Sequence, residues 1–292
     1  MSDVGLTLDD FWVSRITSYN ACASLIMVFW DWLITLGDEI NMVWKIPHAR
    51  VAKWVYIFLR YGAIGFQIFN MIFVLRMETY APIHNTHCKL WLSYQGVVCQ
   101  TMSTLVEGLL MMRVYLLWNR NRKIALALFG LVALEMCAMV SGAKMVIPDQ
   151  RMNDLCMFSK PPIGAIFFMI AFIVTQTVVI ILLLARRSAA YRFGWNRVPL
   201  YMIVVRDAKI MFLVIFSLFL TGIVYMLVGS GHGGTIFYWT VSMLSICGCR
   251  TILNSHKLPS SSRTSSVCLT TDIWIENESE HSSHTSQMEP DQ

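Results

Sequence analysis

The stretch IGAIFFMIAFIVTQTVVIILLL, residues Ile163–Leu184, decides the fold class of this chain. Its 22 residues include no charged side chain. As an α-helix they would be about 33 Å long, enough to cross a hydrocarbon core of roughly 30 Å. Apolar and polar residues do not alternate along the stretch, as they would in a strand of a membrane β-barrel. The stretch therefore predicts a membrane-spanning helix.

The rest of the chain repeats this pattern. Of its 292 residues 56% are apolar and 14% are charged, and the mean hydropathy is +0.55. A soluble domain carries about 25% charged residues, so a soluble fold is excluded. We expect an all-α, polytopic bundle of seven transmembrane helices. The predicted spans are Ile16–Leu36, Val55–Leu75, Leu90–Met111, Ile124–Val140, Ile163–Leu184, Ile210–Val228 and Thr235–Leu253.

The basic residues predict the orientation of the bundle. Of the 23 lysines and arginines, 16 follow spans one, three, five and seven, six lie on the other side, and Arg60 lies within span two. Positively charged segments stay in the cytoplasm, so the amino terminus is expected outside and the carboxyl terminus inside. The net charge of +5 is then a topology signal and does not indicate nucleic-acid binding. The partner that the sequence predicts is a lipid bilayer, of the plasma membrane or an endomembrane.

The predicted spans divide the chain into three parts. Residues 1–15 form a short extracytoplasmic amino terminus, whose acidic residues do not resemble the basic start of a cleavable signal peptide. Residues 16–257 form the seven-helix domain. Residues 258–292 are rich in serine and threonine and poor in apolar residues, which predicts a disordered cytoplasmic tail.

Four of the eight cysteines stand out by their position. Cys88 precedes span three and Cys156 lies between spans four and five, both outside the membrane in the predicted topology. Two such cysteines in an oxidising compartment favour a disulfide, the alternative being two free thiols. Cys247 and Cys249, at the inner end of span seven, are candidates for acylation, the alternative being thiols that fill space in the packing.

Charged residues inside the spans are costly and therefore indicate function or specific pairing. Asp31, Arg60 and Glu107 reach a similar depth in the inner leaflet, on spans one, two and three. We expect them to form a charge network, which could be a structural clamp, a gating or proton-linked switch, or separate side chains that snorkel to the interface. Glu135 in span four has no obvious partner at its depth.

Several motifs together are similar to a fungal, mainly basidiomycete, family of seven-helix membrane proteins with the amino-terminal domain of unknown function 6533. The resemblance covers about residues 10–257, with the amino-terminal domain at about residues 16–62. It implies an integral membrane protein without an established activity. It also implies that Asp31, Arg60 and Glu107 belong to a structural feature that members of the family share. The motifs are Trp30-Asp31-Trp32-Leu33-Ile34-Thr35-Leu36, Glu39-Ile40, Trp44, Lys53, Arg60-Tyr61, Glu107, Arg113, Tyr115, Arg120, Arg122, Arg206-Asp207, Arg250, Leu253-Asn254 and the Cys88 and Cys156 pair.

Three classes of function fit these features. We expect a receptor-like sensor first, because seven spans, an outer disulfide, basic inner loops and a phosphorylatable tail suit a protein that contacts a cytosolic signalling partner. A small-solute or proton-linked transporter or channel is the alternative, and an accessory or scaffolding membrane protein is the third class. We found no zinc-protease motif and no paired histidine boxes, so we expect no enzyme, cofactor or metal site. The sequence predicts no particular ligand.

Overall fold

The chain forms helices throughout the part that the computed structural model describes, which comprises residues 8–46, 51–79, 84–118, 120–149, 156, 163–192, 199–228 and 234–256. The predicted cytoplasmic tail, residues 258–292, lies outside the described residues. The elements are α1 (Leu8–Met42), α2 (Val51–Ile57), a π-helical turn (Phe58–Gly62), α3 (Ala63–Thr79), α4 (Asn85–Leu117), α5 (Arg122–Asp149), α6 (Ile163–Arg192), α7 (Pro199–Val228) and α8 (Thr235–His256).

Among the described residues, seven helical segments are long and apolar enough to cross a membrane, which confirms the predicted number. The second span is made of α2, the π-helical turn and α3, and each of the other helices is one span. The helices extend beyond the predicted spans because apolar composition marks only the part inside the hydrocarbon. Thus α1 begins at Leu8, so that residues 8–15, predicted as part of the amino-terminal tail, are helical. Helix α7 begins at Pro199, a residue suited to the first helical position.

Helices α4 and α8 lie at the centre of the bundle. In each of these two spans 61% of the most apolar stretch is buried, against 11% to 33% in the other five. Helix α8 packs against α1, α3, α4 and α7, and α4 also packs against α5 and α6. These two helices therefore connect the half of the bundle that contains α1 to the half that contains α5 and α6.

Large apolar side chains cover the outside of the bundle. Leu126 and Phe129 on α5 are each 73% exposed, and similar residues lie along the outer faces of the other spans. Soluble monomers rarely expose large contiguous apolar patches. Together with seven apolar helices of spanning length, this surface indicates a multi-pass membrane protein.

The π-helical turn changes which residues of the second span face inward. A π turn inserts one extra residue into a helix and is frequent at functional sites. Here it turns both Leu59 and Arg60 into the bundle, where neither side chain is exposed. Opposite Leu59, α8 has Gly248, and a β-carbon there would lie only 2.8 Å from Leu59 Cδ1. Glycine at this position thus permits close packing of α8 on the second span.

Candidate functional site

Asp31 forms the centre of a buried ionic cluster near one end of the bundle. It lies on α1, and the Arg60 guanidinium donates from Nη1 to its Oδ2 at 2.5 Å. Arg60 Nη2 also donates to the Asp31 main-chain oxygen at 3.0 Å and to the Thr35 hydroxyl. The Asp31 side chain is 5% exposed and that of Arg60 is completely buried. The charge of Arg60 is therefore neutralised mainly by Asp31.

A second arginine, on α8, completes this cluster. Arg250 on α8 donates from Nε to Asp31 Oδ1 at 2.9 Å, and its Nη2 lies 2.8 Å from the same oxygen. Its side chain is 53% exposed. We call Asp31, Arg60 and Arg250 the charge clamp, because they tie α1, the second span and α8 together. The clamp is asymmetric: one arginine is enclosed and the other is half exposed.

The residues around the clamp stabilise a second carboxylate. Glu39, two turns after Asp31 on α1, is buried and accepts hydrogen bonds from two phenol groups. Tyr56 Oη donates to its Oε2 at 3.2 Å, and Tyr61 Oη donates to its Oε1 at 2.6 Å. Lys53 is also buried, with Nζ donating to the main-chain oxygen of Ile46 at 3.0 Å. The second span thus directs several polar groups onto α1.

Glu107 belongs to a different cluster, which corrects the predicted three-residue network. Gln176 on α6 donates to Glu107 Oε1 at 2.6 Å, and the carboxyl group of Glu135 on α5 interacts electrostatically with Glu107. The reason is the rotation of α4, since successive residues of an α-helix point about 100° apart. Val106 packs beside Gly248 on α8, so Glu107 is turned towards α5 and α6.

Glu107 and Glu135, which we call the carboxyl pair, are each 1% exposed. Gln100 on α4 donates from Nε2 to Glu135 Oε1 at 3.2 Å. Thr175 on α6 lies beside the same carboxyl group. The pair therefore sits between α4, α5 and α6, and Glu135 has partners that its position in the sequence did not indicate.

A polar seam runs through the centre of the bundle between the second span, α8 and α1. Gln67 Nε2 donates to the Tyr238 main-chain oxygen at 2.7 Å and to the Ser242 hydroxyl at 2.8 Å. Ser242 in turn donates to the Ser24 main-chain oxygen at 3.2 Å. These bonds connect α8 to both the second span and α1 through buried groups.

The opposite end carries the disulfide that joins Cys88 to Cys156, with Cα atoms 5.1 Å apart. Both cysteines are buried in a small apolar cluster with Trp91 and Tyr238. The first residues of α4 are thereby attached to the segment between α5 and α6. We refer to this as the disulfide end.

The two candidate acylation sites differ in accessibility. Cys249 is completely buried in the main core, so an acyl group could not be attached to it in this conformation. The prediction for Cys249 therefore does not agree with the structure, because this residue faces the second span. Cys247 is partly exposed and remains a candidate.

Sequence reasoning placed Asp31 and Arg60 at one depth, and the structure joins them. It missed Arg250 as a member of the clamp, because this arginine was counted among the basic residues that set the topology. It also missed the pairing of Glu107 with Glu135. The available signal was the polar residues Gln100 and Gln176, which lie within the predicted spans.

Comparison with known proteins finds a match to a family model. Searches of curated proteins and of solved structures find no match to the chain. Residues 19–65, which cover most of α1 and extend through the π-helical turn, match the model of a family of unknown function, DUF6533. This segment contains Asp31, Glu39 and Arg60, so the buried half of the charge clamp lies within the domain that this family describes.

Proposed function

We propose that this protein is a receptor-like sensor, with the amino terminus and the disulfide end outside the cell or in the lumen and the clamp end in the cytosol. The charge bias supports this orientation, since 16 of the 23 basic residues fall on the clamp side. A disulfide also requires an oxidising compartment, which agrees with an outer position for Cys88 and Cys156.

The observation that carries the proposal is the asymmetry of the charge clamp. A switch needs an element with two arrangements that differ by a few kcal/mol. The Arg60–Asp31 pair is enclosed and stays closed in both arrangements. In the Arg250–Asp31 pair the arginine is 53% exposed and only the aspartate is buried, so the contribution of this pair is closer to that of exposed pairs, about 0 to 1 kcal/mol. Release of Arg250 would therefore free the end of α8 without leaving Asp31 unpaired.

Helix α8 suits the transmission of a signal, since it runs between the two ends at the centre of the bundle. At the disulfide end it contributes Tyr238 to the cluster around the bridge, and at the clamp end it contributes Arg250. A displacement of α8 by a ligand at the outer end would change the Arg250–Asp31 distance. The inner loops and the tail, residues 258–292, would then contact a cytosolic signalling partner.

We also propose that the family resemblance extends beyond residues 19–65 to the whole seven-span bundle of the fungal family. The clamp supports this extension. Arg250 belongs to the last motif of the resemblance, and it contacts Asp31 of the first motif directly.

The test compares Arg250→Gln with the wild type in nanodiscs and in cells. We expect faster amide hydrogen exchange at the end of α8, and at least a twofold change in the cytosolic proteins labelled by a ligase fused to the carboxyl terminus. Arg122→Gln is the matched control, since Arg122 is an exposed arginine at the same end of another span. If both variants behave as the wild type does in both assays, the sensor proposal is rejected.

The orientation is tested separately. Epitope tags at the two termini should lie on opposite sides of the membrane, the carboxyl tag being protected from protease in intact cells. Asn277-Glu278-Ser279 matches the glycosylation pattern, and in this orientation it stays unmodified. A glycan on Asn277 would reverse the proposed topology.

A second candidate function is a proton-linked transporter, which the carboxyl pair favours because buried carboxyl groups in membranes often carry protons. A flux screen with purified protein in liposomes distinguishes the two functions. Solute flux that requires a proton gradient and is lost in Glu135→Gln would favour the transporter over the sensor.

A further inference from the structure

Glu107 and Glu135 lie in the bundle interior, where a charged group is unstable unless a counter-charge or hydrogen bonds stabilise it. Both side chains are 99% enclosed, in the interior of membrane-spanning helices. One oxygen of each carboxyl group is already used: Gln176 Nε2 donates to Glu107 Oε1 at 2.6 Å, and Gln100 Nε2 donates to Glu135 Oε1 at 3.2 Å. These amides come from α6 and α4 and fix the orientation of both carboxyl groups.

The other two oxygens lack a donor. Glu107 Oε2 and Glu135 Oε2 are buried, and no protein group in the described part of the chain donates a hydrogen bond to either. The two carboxyl groups are nevertheless in electrostatic contact with each other. An ionised carboxylate only accepts hydrogen bonds, so this contact is a bond only if one of the groups carries a proton.

The described groups around the carboxyl pair carry no positive charge that could stabilise two carboxylates. Within the described residues, α6 presents the neutral Thr175 and Gln176 to the pair, and α4 adds Gln100. Cys99 on α4 is the other titratable group that interacts with Glu135. No cationic side chain in the described part of the chain is among the groups that act on either carboxyl. Two neighbouring carboxylates in such a site cannot both be ionised at low cost.

We propose that the carboxyl pair is a proton-binding site, in which one proton is shared between Glu107 and Glu135 and holds α5 against α4. Binding forms one O–H bond on one carboxylate, and release returns the proton to water and leaves two carboxylates. The repulsion between these charges then acts across the contact between α4 and α5. The proposal concerns a ligand of the bundle core and does not depend on whether the charge clamp is a switch.

Infrared spectroscopy of the full-length protein in nanodiscs tests this proposal. The wild type should show the carbonyl stretch of a protonated carboxylic acid at neutral pH, and the band should disappear reversibly when the pH is raised. In Glu135→Gln the band should be absent, because the new amide can donate to Glu107 and replaces the proton. Glu107→Gln is the reciprocal variant and should give the same loss.

The matched control is Glu39→Gln, a buried glutamate whose donors are two tyrosine hydroxyls. It should leave the band unchanged. Thermal stability gives an independent measurement: the wild type should lose stability as the band disappears, whereas Glu135→Gln should not.

Two results would overturn the proposal. One is a band that persists in both carboxyl-pair variants at wild-type intensity. The other is a wild type that shows no band and that is stabilised by sodium chloride but not by choline chloride. In this case Glu135→Gln would no longer be stabilised by sodium chloride. The second result would assign the site to a metal cation. Neither result depends on the clamp variants, so failure here is distinguishable from failure of the sensor proposal.

Discussion

The asymmetry of the charge clamp predicts very different costs for two substitutions at the same carboxylate. Asp31→Asn leaves the completely buried guanidinium of Arg60 without its charge partner. Removing one member of a buried ion pair costs about 3–5 kcal/mol. Arg250→Gln leaves the Asp31–Arg60 pair intact and removes only a contact whose arginine is 53% exposed. Exposed pairs contribute about 1 kcal/mol at most, so the cost should be several-fold smaller.

The assay is the free energy of unfolding of purified protein in mixed micelles, titrated with a denaturing detergent. The double variant Asp31→Asn with Arg60→Gln should recover part of the loss, because it removes the unpaired charge together with its partner. Asp38→Asn, two turns further along α1 and partly exposed, is the matched control and should cost less than about 1 kcal/mol. Equal losses in Asp31→Asn and Arg250→Gln would refute this reasoning. So would a double variant less stable than Asp31→Asn alone.

The packing, the disulfide and the polar seam give three further predictions. Gly248→Ala should lower the unfolding free energy by about 1–3 kcal/mol, since its new methyl group would lie 2.8 Å from a buried leucine of the second span. Gly108→Ala, with open space around its β-carbon, should not, and equal effects would contradict the close packing. Replacing Cys88 and Cys156 by serine opens a loop of 68 residues and should cost about 2–4 kcal/mol, visible as a lower melting temperature and altered mobility on non-reducing gels. Gln67→Leu removes two buried bonds and should cost about 1–3 kcal/mol in the same unfolding titration, with no loss arguing against the seam.

The number and type of the spans could be predicted from composition alone. A helix that crosses a membrane must be long and apolar because lipid offers no hydrogen-bond partners for the main chain. This requirement is local, so a stretch such as Ile163–Leu184 is recognisable without its neighbours. The ends of the helices were less predictable, because α1 and α7 continue into the interface, where the apolar requirement no longer applies.

The clamp was predictable only in part. Counting residues from the end of a span gives the depth of a side chain, and depth was sufficient to associate Asp31 with Arg60. Depth does not give the direction in which a side chain points, because that depends on the rotation of each helix about its axis. The π-helical turn changes this rotation within the second span, and no proline in that span marks the change.

Length and apolarity, which are properties of each stretch of sequence, thus decided that this chain has seven helices suited to span a membrane. The partners of its buried charges were decided by helix packing. The rotation of α4 directs Glu107 towards Glu135, and the close approach of α8 at Gly248 brings Arg250 to Asp31. These contacts join residues up to 219 positions apart, and a bond at that separation exists only when several helices pack in one particular arrangement.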